Sequence, residues 1–187
     1  MASVASVLSV LSVFFVASVF SVAPMRSLAL ALTIGAVLWT AAIVAAPLAL
    51  GSDRFATAAA VVYGGSSQIC HQRVDRSFAT RGLQWPVCAR CAGLYLSGAV
   101  GALVGWFGLA GWQTTRSRWI LGLAAMPTAV TWTLEVAGLV PFSNTARAVA
   151  AIPLGVVAGW LFIRMLRYDS GLDAGQIDRC RTPPLPG

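Results

Sequence analysis

The sequence predicts an all-α, polytopic membrane protein: a bundle of four spanning helices at about 28–50, 91–111, 119–140 and 148–166, preceded by an apolar run at 3–22. Three observations predict it. Of the 187 residues, 58% are apolar and 10% charged, with a mean hydropathy of +0.78, far from the balance of a soluble domain. The apolar residues gather into runs of about 20, the length that crosses ~30 Å of hydrocarbon as a helix. The basic residues fall in the connections between these runs, where topology and anionic headgroups account for them. The net charge of +7 is owed to arginine alone, since the chain has no lysine. A pI near 10.3 would elsewhere suggest nucleic acid. Because the arginines are confined to connections, the partner implied is the lipid bilayer and not a nucleic acid. Nothing in the pattern indicates an oligomeric state.

Taken in order, residues 3–22 are apolar but nearly repetitive, with Ser3, Ser6, Ser9, Ser12, Ser18 and Ser21. They read either as a first span or as an artefact of the assigned start, because Met25-Arg26 before an apolar helix resembles an ordinary membrane-protein beginning. Residues 28–50 form an ordinary span ending at Pro47 and Gly51. Residues 55–63 are too short to cross and read as an interfacial or re-entrant helix stopped by Gly64-Gly65. A polar loop at 66–91 follows. The span at 119–140 contains Pro127, and the span at 148–166 has Pro153 near its start. Both are tolerable where neighbouring helices satisfy the freed backbone groups. The tail from 167 to 187 ends in Pro-Pro-Leu-Pro-Gly and is expected to be disordered. The organisation is thus a segment 1–24, a bundle 25–166 and a polar tail 167–187. Small residues recur every four positions at Ala89, Gly93, Ser97, Gly101 and Gly105, and again at Ala151, Gly155 and Gly159, which predicts close helix approach.

Chemistry concentrates in the loop. Between Cys70 and Cys91 lie three of the four cysteines, the single histidine His71 and four of the thirteen arginines. Counting spans from Ser27 places the loop at 51–90 and the connection at 141–147 on one face, whichever way the protein points. Glu135, the one acid within the spans, then lies near that face, as do Asn144 and Arg147. Arg54, Arg73, Arg76, Arg81, Arg90 and Arg147 share it, against Arg26, Arg116, Arg118, Arg164, Arg167, Arg179 and Arg181 opposite, so the positive-inside rule is nearly balanced. The arginines that directly flank the spans favour a multi-pass protein of the cell membrane with a cytoplasmic tail and an extracytoplasmic Cys/His loop.

Three functions compete. A metal site, zinc above all, would take Cys88 and Cys91 from the C-x-x-C knuckle and Cys70 and His71 to complete Cys3His. Adjacent Cys and His can both ligate only in an unusual loop conformation. If one does not, the open position falls to Glu135 or water. A thiol-disulfide oxidoreductase would use Cys88 and Cys91 at a helix start, where the dipole and Arg90 lower a thiol pKa. A binding protein without catalysis would hold anionic lipid or a small anion on Arg76, Arg90 and Arg147. Whether the protein is an enzyme stays open, with Glu135, His71, Cys88 and Cys91 as the catalytic candidates. Against these stand plainer readings, in which His71 is structural and Glu135 merely pairs with Arg147.

At these residues the chain resembles a family of uncharacterised prokaryotic membrane proteins, domain of unknown function 2085. The pattern reads here Cys70-His71-Gln72, Arg76-Ser77-Phe78, Gly82 and Pro86-Val87-Cys88-Ala89-Arg90-Cys91-Ala92-Gly93-Leu94-Tyr95. Downstream come Trp132-Thr133-Leu134-Glu135 and Ser143-Asn144 with Arg147. The resemblance covers roughly residues 28–165 and implies supporting roles for Gln72, Ser77 and Asn144. The family pattern often carries Asp where this chain has Thr131, which leaves Glu135 the sole intramembrane carboxylate. The resemblance sharpens the choice of site and names no reaction.

Overall fold

The computed structural model describes residues 25–107 and 114–181. The apolar run at 3–22, residues 108–113 and the last six residues lie outside the described residues. Contacts divide the chain into two compact units, and the second, Thr33–Arg164, holds every element of the site.

Helix α1 (Met25–Leu50) runs through Pro47 and is followed by the short α2 (Ala56–Ser67), which continues past Gly64-Gly65 instead of stopping there. A 3-10 turn at Val74–Arg76 leads into strands β1 (Ser77–Thr80) and β2 (Leu83–Cys88). Three further helices follow: α3 (Ala89–Val104), α4 (Thr114–Val136) and α5 (Asn144–Arg181).

The chain is mostly helical, as expected, but it departs from the expectation in two ways. Among the described residues, three helices are long and apolar enough to cross a membrane: Met25–Leu50, Arg116–Val136 and Asn144–Arg167, with mean hydropathies of 2.3, 1.2 and 2.0. The remaining expected span, at 91–111, coincides with the 16-residue apolar α3, which is shorter than the ~20 residues of a full span, and residues 108–111 lie outside the described residues, so a fourth span is not confirmed. Helix α3 closes at Gly105 in a tighter turn, where Trp106 N–H donates to Leu103 O at 3.1 Å and Phe107 N–H to Val104 O at 3.0 Å.

The second departure is that the loop at 66–91 contains an antiparallel hairpin. Thr80 pairs with Leu83 across the two-residue turn Arg81-Gly82. Both turn residues have positive φ, 54° and 78°. This is the primed turn whose twist suits a hairpin, and Gly82 enters it without steric cost. Trp85 Nε1 donates to Thr80 Oγ1 at 2.8 Å, and the Phe78 and Trp85 rings meet edge-on at 5.7 Å.

Elsewhere the boundaries move for visible reasons. Helix α4 stops at Val136 and not Val140, because Gly138 at φ 69° takes the left-handed position that lets Leu139 N–H return to Leu134 O at 3.0 Å. Helix α5 continues to Arg181, as no proline interrupts it between Pro153 and Pro183.

The small-residue spacing does what was expected of it. A Cβ on Gly93 would strike the backbone of Ala148, one on Gly101 that of Val156, and one on Gly159 that of Gly98. Helices α3 and α5 therefore touch backbone to backbone, which only glycine permits at these points. The apolar centre next to the hairpin is Ile43, Cys70, Val87 and Ala92, with Trp39, Phe78, Trp85 and Tyr95 packed against it.

Candidate functional site

Two local conformations bring the cysteines together. Cys88 is the extended residue that caps α3, and Cys91 stands one turn later on the same side, so the C-x-x-C spacing becomes a pair at a helix start. Cys70 arrives from the segment after α2, whose course is fixed by Gln72. Gln72 adopts a positive φ of 47°, and its side-chain amide donates to Tyr63 O and Pro86 O, both at 2.8 Å. Gln84 Nε2 in turn donates to Gln72 O at 2.7 Å. Held from both sides, Cys70 is buried and its sulfur accepts the Cys88 backbone N–H at 3.2 Å.

The three sulfurs lie within 4.8 Å of one another, a grouping able to hold one metal ion. The three cysteines are free, with no disulfide among them. The His71 ring is not part of this grouping, so three of the four expected ligands come together and the fourth does not. The reason is local: with Cys70 turned into the core, its neighbour faces outward and is exposed. A hydrogen bond from the Cys91 thiol holds Cys88 down to about 5, outweighing the opposing effect of burial. Cys88 is therefore a thiolate at neutral pH, the form that binds metal or attacks a disulfide.

Beside the sulfurs opens a cavity of about 350 Å³, whose walls include His71, Arg76, Arg90, Trp132 and Arg147. Glu135 does not join the sulfurs. Its side chain, 6% exposed, is clasped by two arginines. Arg90 Nη2 reaches Oε2 at 3.1 Å, and Arg147 donates to Oε1 through Nε at 2.7 Å and through Nη2. Arg147 Nη1 also donates to Asn144 Oδ1 at 2.7 Å, and Asn144 Nδ2 to Ser77 O at 2.9 Å. One chain of polar contacts thus links the starts of α3 and α5, the end of α4 and the hairpin. The Ser77 hydroxyl, itself buried, donates to Arg73 O at 2.8 Å.

Sequence reasoning missed Gln84 and Tyr63, and it gave Trp132, which lines the cavity, no role beyond the family pattern. Tyr63 O–H donates to Gln84 O, tying α2 to β2. Gln84 would have been legible had the Arg-Gly turn been read as a hairpin, which sets it opposite Ala79. Cys180 lies in a stretch of α5 whose side chains are outside the described residues.

Comparison with known proteins supports the same stretch. A family model described as a predicted membrane protein, DUF2085, matches residues 70–161, which include both Cys blocks, Glu135 and Arg147. An uncharacterised protein of Methanocaldococcus jannaschii is 34% identical over 104 residues, covering 54% of this chain and 64% of the relative. Another, from Methanothermobacter thermautotrophicus, is 31% identical over 88 residues, covering 47% of this chain and 78% of the relative. The chain therefore spans a little under two thirds of the first relative's length and over three quarters of the second's. No solved structure matches. On the family model and on these relatives, the chain belongs to the DUF2085 family of predicted membrane proteins.

Proposed function

We propose that this is an integral membrane protein that binds zinc through the thiolates of Cys70, Cys88 and Cys91, with the fourth position open to the adjacent cavity. The observation that carries the reading is the convergence of three sulfurs from two separate segments within 4.8 Å. A tetrahedral site with Zn–S bonds of about 2.3 Å places its sulfurs about 3.8 Å apart, inside that bound, so small side-chain rotations suffice. The Cys88 N–H donated to the Cys70 sulfur lessens the repulsion among three sulfurs crowded together. Three protein ligands and one open position are the arrangement of a site that activates a bound water or polarises a ligand, whereas closed four-ligand sites are structural. His71, on the cavity wall and outside the sulfur group, supplies an imidazole to the same cavity.

A second reading, a thiol-disulfide exchanger, draws on the Cys88 thiolate with Cys91 beside it. The metal reading is preferred because Cys70 has no necessary part in a two-cysteine exchange yet contributes the third sulfur. For localisation we favour the cell membrane, with the cysteine face extracytoplasmic and α5 leading into the cytoplasm.

Metal analysis of detergent-purified protein, with thiol counting under non-reducing conditions, tests the choice. One zinc per chain, lost in Cys88→Ser/Cys91→Ser, is the expected result. No metal together with a reducible bridge between Cys88 and Cys91 would leave the exchanger standing instead.

A further inference from the structure

The cavity beside the sulfurs has walls whose charge is only partly answered. Arg73, Arg76, Arg90 and Arg147 line it, and among the described residues no carboxylate does. Asp75 lies 3.2 Å from Arg73 and 3.6 Å from Arg76, and Glu135 holds Arg90 and Arg147. Four guanidinium groups against two carboxylates leave two positive charges. Zinc on three thiolates carries a charge of about −1, which still leaves the site positive.

The hydrogen bonds are more specific than the charge. Nε of Arg76 and Nε of Arg90 are buried and have no hydrogen-bond partner, the Asp75 carboxylate 3.6 Å from Arg76 Nε being an ion-pair contact beyond hydrogen-bond distance. A buried N–H without an acceptor is costly, and such groups in a folded protein call for a reason. Each guanidinium is thus short of acceptors, and a ligand oxygen in the cavity supplies one to the group. Arg147 is different, because Nε, Nη1 and Nη2 are all engaged with Glu135 and Asn144. It positions the site, while Arg76 and Arg90 keep donors to spare. Guanidinium forks match the oxygens of phosphate, and a tetrahedral oxyanion can accept from two of them at once. The lining also includes Trp132 and Ile69, 54% and 56% exposed, so the cavity borders apolar surface.

We propose that this cavity binds a phosphate group, either free or carried by an anionic lipid, through the guanidinium groups of Arg76 and Arg90. That the phosphate sits beside a metal rests on the zinc reading above; the arginine donors do not depend on it. The apolar wall would face the glycerol and acyl portion of a lipid, and would stay bare with free phosphate.

Full-length protein is tested with two probes. Inorganic phosphate is titrated into detergent-purified protein by calorimetry, and lipid retention is measured in nanodiscs of phosphatidylcholine with or without phosphatidic acid. Zinc is assayed in every sample, and each titration is repeated after chelation. Arg76 is the position to vary, since its side chain is 36% exposed and its ion-pair contact is with the exposed Asp75, so substitution leaves the fold intact. Arg76→Ala is expected to weaken binding of whichever probe the parent binds by about tenfold or more, with zinc content unchanged. Arg76→Lys keeps the charge without the fork and recovers only part of the loss. Binding of inorganic phosphate identifies a free anion as the ligand, and binding confined to phosphatidic acid discs identifies a lipid. Equal binding by parent and Arg76→Ala, or no binding of either probe by the parent, overturns the phosphate site; zinc still present in those samples would leave the metal reading intact. Absence of zinc with a binding loss in Arg76→Ala removes the metal reading and keeps the phosphate site.

Discussion

Replacing Glu135 by glutamine removes one charge and leaves two buried cations without a counter-ion. The Arg90 and Arg147 side chains are 19% and 11% exposed, and that of Glu135 is 6% exposed. Glutamine keeps the shape and one acceptor, so the loss is electrostatic and not one of volume. Breaking a buried ion pair from one side costs about 3–5 kcal/mol, because the partner stays desolvated. At about 2–4 °C per kcal/mol for a chain of this size, the melting midpoint should fall by about 6–20 °C. The assay is a thermal melt of detergent-purified protein followed by tryptophan fluorescence. Adding Arg147→Leu to Glu135→Gln should restore part of the loss, since an apolar replacement removes the uncompensated cation. A Glu135→Gln midpoint within about 2 °C of the parent would refute the reasoning, and would mean that water reaches the triad and screens it.

Two other perturbations have outcomes fixed by the same contacts. In metal-free protein the iodoacetamide reactivity of Cys88 should follow its thiolate, already full at pH 7 and halving only near pH 5; a midpoint near the ordinary thiol value of about 8.5 would show that Cys91 does not donate to it. Gly101→Ala forces a methyl group into the Val156 carbonyl and should cost about 1–3 kcal/mol. Gly122→Ala, with nothing within 4 Å of the added methyl, should be neutral or stabilising by up to about 1 kcal/mol, and equal melting of the two variants would contradict the α3–α5 contact.

The parts of the fold that were legible in the sequence are those governed by composition over long windows. Apolar runs of span length mark α1, α4 and α5, because in hydrocarbon the backbone must satisfy itself and a helix is the only single-segment solution. Span parity placed Glu135, Asn144 and Arg147 beside the cysteine loop. The chain from Arg90 through Glu135, Arg147 and Asn144 to Ser77 gives that placement atomic form. What escaped is local and depends on single residues. The hairpin hides behind Pro86 and an Arg-Gly turn, where Asn-Gly would have announced it, and its strands of four and six residues are too short to show alternation. The length of α3 turns on Gly105, one glycine among several in an apolar run. The course of the segment that carries Cys70 depends on Gln72, whose positive φ no pattern of residue types predicts for glutamine.

The central claim, three thiolates and one open position, is tested most directly by X-ray absorption at the zinc edge on the purified protein. The account predicts three sulfur scatterers at about 2.3 Å and one lighter oxygen or nitrogen scatterer at about 2.0–2.2 Å. It also predicts that Cys70→Ser lowers the sulfur count to two. Protein carrying no zinc, or a sulfur count that Cys70→Ser leaves unchanged, would contradict it.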